Sequence, residues 1–181
     1  MFWLILGVLL WSFAHLFKRI APSARAKMGE PAKGGVALAL LAGIVLMVIG
    51  YRMADGAVLW GRHPATVGIN NLLNLAAVYL FAASGMKTWI TSKIRHPQLT
   101  AIKTWALAHI LVNGDIPSFI LFGGLLAWAV VEVILINKQT EDTRPTGPFE
   151  TRKEVIAVVA SLVLFGAIAW VHYLFGYPAF G

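Results

Sequence analysis

Apolar residues gather in six runs, 1–17, 36–53, 71–86, 99–113, 117–136 and 155–175, separated by short polar stretches. Each run approaches the roughly 20 residues that a helix needs to cross a hydrocarbon core. The runs are rich in Leu and Ala and lack the period-two alternation of strands, so the pattern predicts helices throughout. The first and fourth runs are short, and short spans tilt little, thin the bilayer or pack inside a bundle. The fourth carries Lys103, Thr104, His109 and Asn113, which makes it the least lipophilic and predicts a place in the bundle interior. The expected fold is an all-α polytopic membrane bundle of about six transmembrane helices, forming one domain over residues 1–181.

The positive charges orient this bundle. Lys18, Arg19, Arg25, Lys27 and Lys33 lie between runs one and two, and Lys87, Lys93, Arg95 and Lys103 lie between or at the edges of runs three and four. Lys138, Arg144, Arg152 and Lys153 lie between runs five and six, which leaves only Arg52 and Arg62 for the other side. By the positive-inside rule the charged loops are cytoplasmic and both termini are periplasmic. Residues 1–17 resemble a signal peptide in length, but their charges follow the apolar core instead of preceding it, so a retained helix is expected.

Composition narrows the chemistry. Of 181 residues, 59% are hydrophobic and 13% charged. A soluble domain is about one quarter charged, so lipid is the expected surrounding medium and main partner. The net charge of +7 is accounted for by the loop asymmetry, so no nucleic-acid partner is inferred. The absence of cysteine excludes disulfides, thiolate metal sites, iron–sulfur clusters and Cys nucleophiles. No phosphate-binding glycine loop or serine elbow is present.

Polar groups inside spans are costly and hence functional candidates. They are His15, Asn70, Asn71, Asn74, His109, Asn113, Asp115, Glu132 and His172. Counting along the helices places His109 roughly 20 Å beyond His96, in the outer half. His172 falls at similar depth, while His15, His96 and Glu132 fall near the inner face. Two histidines at one depth on different helices are what a bis-imidazole haem or a metal site requires; interhelical hydrogen bonding is the plainer use of the same residues. Asn113-Gly114 is expected to end the fourth helix through positive φ, with Asp115 capping the fifth ahead of Pro117. Glu132 is expected to snorkel to the cytoplasmic interface, and the seven Trp to form mostly interfacial belts.

One set of motifs goes further. Arg95-His96-Pro97, Trp105, Ala108-His109, Asn113-Gly114-Asp115 and Phe122-Gly123-Gly124, with the ending His172-Tyr-Leu-Phe-Gly176-Tyr-Pro178 and the early His15, resemble the NnrU family. That resemblance implies a bacterial inner-membrane protein associated with denitrification and nitric oxide metabolism. The related 15-cis-zeta-carotene isomerases are thought to use histidine-held haem b, and their Arg-His-Pro…Ala-His segment assigns an axial-ligand role to His109. The second ligand stays open between His172, by depth, and His15, by its place in the first helix. Arg95, His96, Pro97, Asn113 and Asp115 would support the site. Those isomerases have a cysteine three residues before the histidine, where this chain has Ala106. The isoprenylcysteine methyltransferases share Arg-His-Pro, but the Tyr and Gly that follow it there are missing after Pro97. Three functions follow: a haem b protein of nitrogen-oxide or redox metabolism, a haem-dependent carotenoid isomerase acting on a hydrophobic small molecule, or a non-enzymatic subunit or assembly factor of a larger membrane complex.

Overall fold

The computed structural model describes residues 1–29 and 31–180. The chain is almost wholly helical: α1 (Phe2–Ile20), α2 (Pro22–Lys27), α3 (Pro31–Arg52), α4 (Pro64–Met86), α5 (Ile90–Lys93), α6 (Pro97–Val112), α7 (Ile116–Ser118), α8 (Gly124–Gln139) and α9 (Thr151–Leu174). A π-helical turn, Phe119–Gly123, joins α7 to α8, so Ile116–Gln139 runs as one rod. Proline sets many of the starts. Pro22, Pro31, Pro64 and Pro97 each open a helix, where the missing N–H costs nothing because first-turn donors are unpaired anyway. This is why α3 and α4 begin several residues before their apolar runs.

Five of these helices are long and apolar enough to cross a membrane: α1, α3, α4, the rod Ile116–Gln139, and α9. The expected six becomes five by this measure because α6 has only 16 residues, about 24 Å of helix against roughly 30 Å of hydrocarbon. It is boxed in by Pro97 and by the turn at Asn113 and Gly114. Its interior position is as expected. Ala101, Ala106 and Ala108 are fully buried where α6 packs between α4 and α8.

Packing places the long helices in the order α3, α1, α8, α6, α4, α9. One core joins Leu4, Val8 and Leu16 of α1 to Met47 of α3 and to Leu125, Trp128 and Ala129 of α8; a second joins Ala77 and Leu80 of α4 to Ala101 of α6. Trp105 packs against both. Small residues bring backbones together, as is usual between membrane helices. A Cβ on Gly50 would run into the Leu4 backbone nitrogen. Gly50→Ala therefore forces α1 from α3 and is expected to cost about 1–3 kcal/mol, read as a lower unfolding temperature in detergent.

The two ends of the bundle differ. At one end, strands β1 (Val58–Trp60) and β2 (Gly114–Asp115) pair antiparallel, a short element that the apolar pattern did not predict. Both chain ends lie here: Met1 adjoins the space beside Gly56, and Arg62 donates to the Pro178 carbonyl at 3.0 Å. A side chain on Gly114 would strike the Trp60 ring, which donates to the Leu111 carbonyl. The opposite, basic end collects the Lys- and Arg-rich loops. There Gln139 donates to the Arg19 carbonyl at 2.8 Å, and the Trp89 amide is bonded to the Glu154 carboxylate.

Trp3, Trp60, Trp89 and Trp170 are exposed as interfacial residues would be. Trp11, Trp105 and Trp128 instead pack into the core, which corrects the belt reading for them.

Candidate functional site

His109 stands on α6 one turn before the β end. Its Nδ1–H donates to the Trp105 carbonyl at 2.9 Å. A carbonyl only accepts, so the proton sits on Nδ1 and Nε2 keeps its lone pair. The ring lies 4.7 Å from Phe122 and 5.0 Å from Trp105, centroid to centroid. Phe122 belongs to the π-helical turn. Such turns reset the side-chain register within a helix, and this one carries a buried aromatic to His109, Trp105 and Tyr51 alike.

Around this ring the β end is tied by polar contacts. Asn113 Nδ2 donates to the His109 carbonyl at 2.9 Å. Asn113 has φ −123°, so α6 ends through that side-chain bond and not through the expected positive φ; Gly114 serves by lacking a side chain beside Trp60. Asp115 caps the next helix as expected, accepting from the Ser118 amide at 2.8 Å and the Ser118 hydroxyl at 3.0 Å. Tyr51 joins that hydroxyl at 2.8 Å, linking α3 to the cap.

His172 sits in the last turn of α9. Its Nδ1–H donates to the Ile168 carbonyl at 2.8 Å, which leaves Nε2 as the ring nitrogen outside that bond. The chain then turns back at Gly176, φ +79°, and the Tyr177 amide donates to the His172 carbonyl. The Arg62 bond to the Pro178 carbonyl holds this C-terminal turn at the β end. The structure thus brings His109, His172, Asn113 and Asp115 to one end of the bundle.

His15 is elsewhere. It packs against Trp11 at 4.3 Å and Trp128 at 4.6 Å, with its Nδ1–H on the Trp11 carbonyl. Glu132, 6% exposed, turns inward to Arg19 at 3.5 Å, which corrects the expected snorkelling.

Arg95, His96 and Pro97 form a clamp at the basic end. Arg95 donates to the carbonyls of Thr140 and Glu141, at 2.6 and 2.9 Å, and His96 Nε2 is hydrogen-bonded to Asn137 Oδ1 at 2.8 Å. The motif therefore fastens the start of α6 to the end of α8, far along α6 from His109. The other Arg-His-Pro copy starts α4, with His63 Nδ1 accepting from the Ala65 amide. Asn70, Asn71 and Asn74 bond to one another on α4.

Among the described residues no three or more His, Asp or Glu side chains gather as an ion site. The donors at the β end are two imidazoles, His109 on α6 and His172 on α9, with α4 packed against both helices; imidazole is the donor type taken by a macrocycle that brings its own equatorial ligands. The π turn and Phe122 were the parts that residue chemistry alone missed; Phe122-Gly123-Gly124 was the available signal.

In comparisons with known proteins, a family model described as NnrU protein matches residues 3–179. No curated protein and no solved structure matches the chain.

Proposed function

Because the chain belongs to the NnrU family, we propose that it is a haem b-binding inner-membrane protein serving denitrification, nitric oxide or related redox metabolism. In this reading α6 completes a six-helix bundle, the basic end faces the cytoplasm, and the β end with both termini faces the periplasm.

His109 would hold the iron through Nε2, with His172 as second ligand. The observation that carries this is the pair of Nδ1–H bonds to the Trp105 and Ile168 carbonyls. Such a bond fixes the tautomer and raises the basicity of the ligating nitrogen. When bound, haem would supply one-electron chemistry or ligand binding at iron, and two fixed imidazoles favour the former. The residues of this chain orient the His109 ring and shield it from water: Trp105 and Phe122 flank it, while Asn113, Asp115, Ser118 and Tyr51 brace the helix ends that carry it.

His15 is the weaker second ligand because its ring is engaged with Trp11 and Trp128 beside Glu132. The two choices separate in one experiment on haem-reconstituted protein. His172→Ala is expected to change the low-spin spectrum to high-spin, and His15→Ala to leave it low-spin. The reverse pattern would overturn the assignment. The isomerase reading has less support here, since a fully buried Ala106 occupies the cysteine position.

A further inference from the structure

α1 carries Trp11, His15 and Arg19 at four-residue spacing, and α8 carries Trp128 and Glu132 likewise, so each set shares one helix face. The two faces meet. Trp11 and Trp128 pack edge to face at 5.7 Å, His15 lies against both indoles, and Arg19 Nε stands 3.5 Å from Glu132 Oε1. Among the described residues five buried side-chain polar atoms have no hydrogen-bond partner, and four belong to this ladder: Trp11 Nε1, Arg19 Nε, Trp128 Nε1 and Glu132 Oε2. Trp128 and Glu132 are 7% and 6% exposed. Native proteins leave few such groups unpaired, and a cluster of them marks a missing partner.

His15 also lines a cavity of about 300 Å³ at the basic end, between α1, α2 and α3, together with Lys18, Arg25, Lys33, Val36 and Leu40. The ladder and the cavity thus meet at His15. We propose that this ladder is a water-binding site, filled from the basic end through the His15-lined cavity. The set without a hydrogen bond is three N–H donors and one carboxylate oxygen, with Arg19 held to Glu132 by the ion pair alone. Water both donates and accepts, so one small molecule class satisfies all four. The cavity has ample room for several waters at about 30 Å³ each.

Beyond Trp11 and Trp128 the same core is apolar, formed by Leu4, Val8 and Leu125. The site is independent of haem at His109.

Hydroxyl-radical footprinting of the full chain in nanodiscs, with radicals generated by radiolysis in isotopically labelled water, tests this. Bound water oxidises buried neighbours that bulk solvent does not reach. Trp128 is expected to be oxidised several-fold faster, after correction for intrinsic reactivity, than Met47, which is 8% exposed in the same core. In the paired variant Arg19→Leu/Glu132→Leu, labelling of Trp128 should fall to the Met47 level. Protection of wild-type Trp128 equal to that of Met47 would overturn the proposal. So would undiminished labelling in a folded paired variant.

Discussion

His109→Ala is expected to yield a folded, membrane-inserted protein whose haem absorption has fallen to baseline. Alanine removes the one side chain that offers a protected nitrogen lone pair from the middle of the aromatic group at the β end. The helix itself loses little, because Ala is the best helix former and the Trp105 carbonyl already serves the α6 ladder. Binding and folding are therefore separable at this position. Absorption at equal protein concentration reads the first, and circular dichroism reads the second. Haem retained at full occupancy would reassign His109 to interhelical packing.

The second large effect concerns Arg19. It stands 3.5 Å from a Glu132 whose side chain is 8% exposed and whose other oxygen has no protein partner. Arg19→Met leaves a carboxylate in the core facing α1 without its counter-charge, an error worth about 3–5 kcal/mol where such pairs have been broken. Because Arg19 retains some solvent contact, the lower part of that range is expected. The paired variant Arg19→Met/Glu132→Met removes both charges and should recover most of the loss, since apolar replacement of a whole buried pair is often neutral. Thermal unfolding of the three variants in one detergent checks the sign: single low, double near wild type. A single variant as stable as wild type would mean that the pair contributes nothing.

These two residues mark what was and was not legible in the sequence. His109 and His172 could be placed at one depth by counting along helices that run the same way, and the structure puts both at the β end. The Asp115 cap was readable because Asp-x-Pro-Ser is a local signal. Arg19 and Glu132 were not readable as partners. Their pairing depends on α1 lying against α8, and chain order alone would seat α1 beside α3 only. Taken along the chain alone, Glu132 reads as a residue free to reach the interface. The four-residue spacing of Trp11, His15 and Arg19 was visible, but its meaning required the facing helix.

Backbone detail was the other loss. The π turn at Phe119–Gly123 changes hydrogen-bond register within an unbroken apolar run, and nothing in hydropathy reports that. It decides where Phe122 points, and so what surrounds His109. By length and composition α6 falls short of a full span for a related reason. Pro97 and Asn113 limit its length, while its burial between α4 and α8 relieves it of the need to satisfy lipid. Family membership covers nearly the whole chain, residues 3–179.

The most direct measurement is the absorption spectrum of wild-type protein, expressed with ample haem supply and purified in detergent, oxidised and then reduced with dithionite. The account predicts a Soret band that shifts on reduction, with a sharp reduced α band and a pyridine haemochrome of the b type. A colourless protein that is folded and remains colourless after reconstitution with haemin would contradict it.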